Sequence, residues 1–371
     1  MRHLFEELEQ WRVARTRCVL ARVVALDGSG PRSVGAAMAV SEHGEVIGSV
    51  SGGCVESAVV TESLDVMSTG EPRVVAFGYS DDDAFAVGLT CGGTIHLFLE
   101  PLDWAAGAGL ADPTTFATIL GHVTAGRPVL LASVTEGSVP GSTLVTAGDV
   151  ADCGTLGDAE LDRVVRRDTL GDLQAGSSGV RHYGPQGQRG ELDVTVFVES
   201  FAPPPRMFVF GAVDFAAALS SVAKLLGYDV AVCDAREVFA TERRFPAADR
   251  VVVEWPHRLI RALDPSPGPR DAICVLTHDH KFDVPALVAA LDTDVAYIGA
   301  MGSRRTQSER EQRLRDEGVT DEQMARIHGP IGLDLGGRTP EETAVAIVAE
   351  IIAARNGRGS YSLRQTSGPI H

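Results

Sequence analysis

Met207-Phe-Val-Phe-Gly-Ala-Val-Asp214 reads as a buried strand running into a tight turn and then a helix, and the residues after it repeat that alternation. Apolar runs follow at Asp229-Val-Ala-Val-Cys233, Arg250-Val-Val-Val253, Ala272-Ile-Cys-Val-Leu276 and Val295-Ala-Tyr-Ile298, with helix-compatible segments between them. Strands and helices in alternation bury both faces of a parallel sheet, so the pattern predicts a doubly wound α/β domain. Pro203-Pro-Pro205 is a stiff extended tract just before it. The boundary is therefore placed there, giving domains 1–202 and 203–371. Ligands of such sheets bind outside the carboxyl ends of the strands. Polar residues fall at those ends: Asp234 and Arg236, then His278 and Asp279, then Gly302-Ser-Arg-Arg305. The last group opens a helix, whose amides together with two arginines suit a phosphate or carboxylate. A solvated helix start is the plainer reading of Arg304 and Arg305.

A dinucleotide fingerprint would place its three glycines at positions 211, 213 and 216, and only Gly211 is present. Val213 stands where pyrophosphate must touch backbone, and Asp214 adds a negative charge beside it. Asp234, 23 positions after Gly211, suits a ribose-binding acid. The fold signal is intact and the NAD(P) signal is damaged.

The N-terminal region is organised around Gly48-Ser-Val-Ser-Gly-Gly-Cys-Val-Glu56. An amphipathic helix over 2–17 and a strand from Cys18 lead to Asp27-Gly-Ser-Gly-Pro-Arg-Ser33, a loop dense in turn residues. A hairpin at 36–47 precedes the Gly-Gly-Cys turn, and a helix from Val55 to Met67 follows it. Gly52 and Gly53 let the backbone approach a ligand closely. Amides at the start of that helix favour an anion and lower a thiol pKa, which makes Cys54 a candidate thiolate for a metal or for sulfur. The alternative is a small cysteine packed beside a turn. Strands follow at Arg73–Phe77 and Ile95–Glu100. Between them Cys91-Gly92-Gly93 mirrors Gly52-Gly53-Cys54, so two glycine–cysteine turns are available to one site. Residues 105–192 show one helix near 114–125 and one strand from Pro128. Gly, Ser, Asp and Gln dominate the rest, which predicts long surface loops.

The 371 residues carry 33 Lys+Arg against 50 Asp+Glu, a net charge of −17 that argues against nucleic acid or an anionic membrane as partner. No apolar run reaches the ~18 residues of a membrane span, and the N-terminus lacks a signal-peptide core. The expected compartment is the cytoplasm. Six scattered cysteines without a Cys-x-x-Cys pair suit free thiols there better than disulfides.

Taken together, GSVSGGCVE (48–56), CGGTIHLFLEP (91–101), CDAR (233–236), THDHKFD (277–283), YIGAMGSRRT (297–306) and GPIGLDLGGRTPEETAVAIVAEI (329–351) give a chain that resembles the XdhC/CoxI family of accessory proteins for xanthine dehydrogenase and related molybdenum enzymes. The resemblance implies an N-terminal α/β domain with the Gly-Gly-Cys turn and a C-terminal Rossmann-like, doubly wound parallel sheet. It implies a maturation factor rather than a turnover enzyme. Such a factor binds a molybdopterin-type molybdenum cofactor as cargo, protects it during sulfuration by a cysteine desulfurase, and delivers it to a xanthine dehydrogenase-type apo-enzyme. Carried over by position, Cys54 and Cys91 become the thiols facing molybdenum, with Gly52, Gly53, Gly92 and Gly93 shaping their loops. Ser303, Arg304 and Arg305 become candidates for the pterin phosphate. From their place at the strand ends of the second domain, rather than from the resemblance, Gly211, Asp234, Arg236, His278, Asp279 and Gly302 complete the cofactor-binding set. The family's Gly-Ala-Gly-His turn is Gly211-Ala-Val-Asp214 here, a departure that bears on nucleotide binding. The rival readings are an NAD(P)-dependent oxidoreductase or related redox subunit, with Cys54 as a catalytic thiol, and a docking protein for desulfurase and client. A homodimer is compatible with each.

Overall fold

In the N-terminal part the apolar alternation of each strand sorts its residues between two different cores. A computed structural model describes residues 1–28, 30–78, 93–147, 153–359 and 361–366, and the chain divides into two units, Met1–Pro203 and Pro204–Thr366. After a 3-10 turn at Arg2–Leu4 come α1 (Phe5–Ala14), β1 (Cys18–Asp27), β2 (Ala37–Ser41), β3 (Val46–Gly48), α2 (Glu56–Thr69), β4 (Arg73–Phe77) and β5 (Thr94–Leu102). These strands form one antiparallel sheet in the order β3-β2-β1-β5-β4. Next come α3 (Pro113–Thr124), β6 (Val129–Glu136), β7 (Thr143–Thr146), β8 (Cys153–Gly154), α4 (Ala159–Ala175), β9 (Gly179–Tyr183) and β10 (Val194–Phe201). Their sheet is also antiparallel, in the order β8-β7-β6-β10-β9. One motif, a helix, three strands, a helix and two strands, is built twice.

The registers agree between the copies. Arg22 on β1 opposes Phe98 on β5, and Leu20 opposes Glu100; Ser133 on β6 opposes Phe197 on β10, and Leu131 opposes Glu199. Each sheet buries one face under its own helix. Val19, Ala21, Val23, Leu97 and Leu99 pack with Val59 and Val66 of α2. Ala132, Val134, Val196 and Val198 pack with Leu161 and Val165 of α4. The intervening residues turn to a shared layer where Leu20, Leu131 and Phe201 meet α1 and α3. At its centre lies Arg22, fully buried between the Phe98 and Phe197 rings.

This corrects the expectation of long loops over 105–192. Beyond the foreseen α3 and β6, the stretch holds α4, the 17-residue helix of the second copy, and strands β7 to β9. Its apolar stripe is thin, Leu161, Val164 and Val165 among charged neighbours, so composition concealed its period. Its end signals are present: Asp158 caps the amides of Glu160 and Leu161, and Gly176 closes it in the left-handed region.

The second unit contains β11 (Arg206–Phe210), α5 (Asp214–Leu225), β12 (Asp229–Cys233), β13 (Arg250–Val252), α6 (Pro256–Ala262), β14 (Ala272–Val275), α7 (His280–Leu291), β15 (Tyr297–Ala300), α8 (Arg304–Asp316), α9 (Asp321–Met324), β16 (Ile327–His328) and α10 (Pro340–Arg355). All its strands are parallel, in the order β13-β12-β11-β14-β15-β16. The direction of winding reverses between β11 and β14, so helices cover both faces. Leu219 and Ala223 of α5 pack with Ile347 and Ile351 of α10 on one face. Ile260, Leu287 and Leu314 from α6, α7 and α8 pack on the other. This is the doubly wound sheet that the spacing predicts.

Candidate functional site

The Gly48–Glu56 stretch turns from β3 into α2, and Cys54 stands just before the N-cap residue Val55. Gly52 and Gly53 have φ of +75° and +117°, which L side chains rarely adopt, and a Cβ on either would meet open space. The glycines are therefore set by backbone conformation, and their outer side lies open to a ligand.

The amides of this turn are already engaged. Glu56 folds back over it: Oε1 accepts from Ser49 Oγ (2.7 Å) and from the Ser51 amide (3.0 Å). Oε2 accepts from Ser51 Oγ and from the amides of Gly53 (2.8 Å) and Val55 (3.2 Å). Ser49 Oγ accepts from the Gly52 amide at 2.9 Å, and Ser51 Oγ from the Cys54 amide at 2.9 Å. Partial burial opposes ionisation of Glu56, but the hydroxyls of Ser51 and Ser49 and the Ser51 amide outweigh it and bring the carboxyl down to about 2. The anion favoured at this helix start is thus supplied by the chain itself. The expectation of amides waiting for an external anion is corrected, and Glu56 is the residue that sequence reasoning missed. Its signal was in plain view, an acidic side chain in the first helical turn after Ser-Gly-Gly.

The outer side of the turn is glycine backbone, with Cys54 next to it in sequence. Cys54 is half-buried. By contrast Cys18 and Cys233 are buried, and burial pushes both thiols up to about 12; it also pushes Cys274 upward. Cys91 and Gly92 lie outside the described residues. Gly93 is buried where β5 begins, beside Gly28. Asp27 pairs with Thr94 and Met38 with Gly48, so Gly93, the loop 28–36 and the Gly-Gly-Cys turn all leave the sheet at one end.

In the second unit the predicted residues stand at the carboxyl ends of the strands, each with partners of its own. Gly211 has φ +113°, and an added Cβ would reach Thr277 Cγ2 at 2.7 Å, so glycine is needed where β11 passes the end of β14. Asp234 is buried; its Oδ2 accepts the Ala212 amide (2.8 Å), and Arg236 binds both its oxygens at 2.8 and 2.9 Å. Burial raises its pKa less than Arg236 and the Ala212 amide lower it, so the carboxyl is held below its ordinary value. Arg236 also stacks on Phe239 at 4.6 Å. His278 is exposed, and Asp279 caps the Lys281 amide at the start of α7. A cleft of about 240 Å³ lies among His278, His280, Thr306 and Arg310. Below it buried Asp283 accepts from Thr277 Oγ1 and from Arg310 (3.2 Å), and burial pushes its carboxyl up. Gly302 precedes Ser303, whose hydroxyl caps the Thr306 amide at 3.1 Å. Arg304 and Arg305 are exposed, and Arg305 pairs with Glu309 at 3.0 Å. Among the described residues no group of three or more His, Cys, Asp or Glu side chains could hold a metal ion. Among them, too, no helix is long and apolar enough to cross a membrane.

Comparison with known proteins agrees with this anatomy. The XdhC and CoxI family model matches residues 11–78, and the XdhC Rossmann domain matches 207–351, together more than half of the chain. The chain is 27% identical over 339 residues to a probable xanthine dehydrogenase subunit of Bacillus subtilis, covering 91% of this chain and 93% of that protein. It is 27% identical over 346 residues to the molybdenum cofactor insertion chaperone PaoD of Escherichia coli, covering 91% and 83%. The crystal structure of a xanthine dehydrogenase from Bacillus halodurans is similar at a TM-score of 0.68 and 25% identity, over 96% of this chain and 97% of that one. The Gly-Gly-Cys turn falls within the first match and the parallel sheet within the second: the chain belongs to the XdhC and CoxI family.

Proposed function

We propose that this protein is a cytoplasmic maturation factor that binds the molybdenum cofactor as cargo at the Gly52-Gly53-Cys54 turn. It holds the cofactor for sulfuration by a cysteine desulfurase and passes it to a xanthine dehydrogenase-type apo-enzyme. The observation that carries this reading is the turn itself. Its amides are committed to Glu56, Ser49 and Ser51, and it sets a half-buried cysteine next to two glycines whose outer side is unobstructed. A soft sulfur donor suits molybdenum or a sulfido group. The name of PaoD, an insertion chaperone, supports the same direction. Cys91 with Gly92 and Gly93 is the second thiol turn of the proposal. Gly211, Asp234, Arg236, His278, Asp279 and Gly302 to Arg305 are its candidates in the second unit.

The test is to purify the protein after co-expression with the cofactor pathway and to measure bound molybdenum and pterin. Wild type is expected to retain both. Cys54→Ser should lose at least about tenfold in retention, the order of one lost strong contact, with an unchanged melting temperature. Equal retention by the variant would assign Cys54 to packing and remove the thiol from the site.

A further inference from the structure

The doubling of the first unit supplies an internal control for its own site. Gly48 and Gly154 close β3 and β8 with φ of +77° and +79°, and a Cβ on either would strike the carbonyl oxygen of the first residue of the neighbouring strand, Ala37 or Thr143. Eight positions later each copy has an acid. Glu56 takes Ser49 Oγ and the Ser51 amide; Asp162 takes Thr155 Oγ1 (2.8 Å) and the Leu156 amide (2.7 Å). Val50 and Leu156 are buried at matching positions between them. The shared scaffold, including the backfolded acid, is therefore architecture.

The copies differ in two places. The second has no Gly-Gly-Cys: its helix starts earlier, and Asp158 caps it. The loop after the first strand has nine residues in the first copy, 28–36, and six in the second, 137–142. In the second copy the short loop covers the turn, with Val139 so close that a Cβ on Gly157 would meet its Cγ2 at 2.7 Å. In the first copy the longer loop leaves a cleft of about 530 Å³, lined by Arg32 and Ser33 of the loop and by Gly48 and Ser49. His3 borders it. The Arg32 guanidinium is exposed, makes no hydrogen bond or ion pair with any described residue, and acts by its charge on His3. His3 is held below the ordinary imidazole range, first by partial burial and also by neighbouring positive charge that includes Arg32. In a chain of net charge −17 the Arg32 guanidinium is a local positive charge on this cleft, although the Glu7 carboxyl also acts on His3 in the opposite sense. The cleft joins the thiol turn directly, because Ser49, on its wall, accepts the Gly52 amide.

We propose that the cleft between Arg32 and Ser49 is an anion subsite that holds a phosphate group of the ligand whose other end meets Cys54. Arg32 supplies a planar donor fork matched to phosphate, and Ser33 a neutral donor. A phosphate held here keeps both ends of the ligand within the first unit. The identity of the ligand rests on the molybdenum reading; the anion site does not.

The two are separable by titrating inorganic pyrophosphate calorimetrically at low ionic strength and, independently, measuring cofactor retention. Wild type should bind pyrophosphate, more weakly as salt rises. Arg32→Ala should weaken it roughly tenfold to a hundredfold, the range for a charge-assisted bond. Arg32→Lys should recover part of the loss, and Arg163→Ala, at an exposed arginine of α4 paired with Glu160, should change nothing. Arg32→Ala should also reduce cofactor retention with the melting temperature unchanged. Absence of pyrophosphate binding in wild type, or equal binding by Arg32→Ala, overturns the subsite. If Arg32→Ala loses pyrophosphate while wild type retains no molybdenum or pterin, the subsite stands and the molybdenum reading falls.

Discussion

Glu56 shows how one side chain sets the chemistry of a turn. Its carboxylate neutralises the amides that would otherwise attract an external anion, and it holds Gly52 and Gly53 in their positive-φ conformations. Because folding lowers its pKa from the ordinary 4.5 to about 2, the stability it adds is fully present above pH 4.5 and fades as pH falls toward 2. The full shift corresponds to roughly 3 kcal/mol, which solvent screening at a half-buried group reduces to ~1–2 kcal/mol. Glu56→Gln should therefore be less stable than wild type by that amount in urea unfolding at pH 7, and the gap should close near pH 2. A gap that stays constant with pH would assign the loss to shape rather than to charge. The motif was legible as a string of residues, but the inward direction of Glu56 was not, since spacing does not say which way a first-turn acid points.

At the scale of the element, the β11–α5 turn decides the nicotinamide question. Its sheet has the strand order of a dinucleotide-binding fold, yet the polar groups of the turn are engaged internally. Asp234 holds the Ala212 amide and Arg236, Arg244 Nη1 donates to the Ala212 carbonyl at 3.0 Å, and Arg244 lies 3.4 Å from Asp214. Val213 occupies the place of the second glycine and is partly packed into the core beneath α5. Wild type is expected to give no saturable heat with NADH or NADPH and no nicotinamide-dependent turnover. Val213→Gly with Asp214→His opens the turn and removes one charge, so it should raise affinity. Tight nicotinamide binding by wild type would bring the oxidoreductase reading forward. The damaged fingerprint was readable from Val213 and Asp214 alone. The engagement of Asp234 was not, because the Ala212 amide lies 22 positions away in sequence.

At the largest scale, the first unit is built around the buried Arg22 guanidinium. Arg22 lies 2.7 Å from Glu100 and 3.6 Å from Glu199, reaches Ser133 at 3.0 Å, and so ties the two sheets together. Burial pushes the Glu100 carboxyl upward, and the Arg22 guanidinium pulls it back. Removing Arg22 alone leaves the buried Glu100 carboxyl without a counter-charge, and leaves Glu199 only the Met1 ammonium at 3.7 Å. Arg22→Met should cost about 3–5 kcal/mol in urea unfolding, and adding Glu100→Gln and Glu199→Gln should recover part of that. A loss below about 1 kcal/mol in the single variant would mean that water reaches the layer and screens it.

By itself the sequence determined the parallel sheet of the second unit, the hairpin and thiol turn of the first, and the capping box that starts α10 at Thr339. Each is local: strand runs, paired glycines and a cap with its acid three residues on are written in adjacent positions. Tertiary structure decided the rest. Ser133 meets Arg22 across the two sheets, and register alone shows Phe98 with Phe197 and Glu100 with Glu199 to be equivalent pairs. The cleft at Arg32 likewise depends on a loop three residues longer than its counterpart, a difference that acquires meaning once Val139 is seen closing the second copy. Side-chain direction and loop closure over a hundred positions are set by packing, and packing is a property of the folded chain.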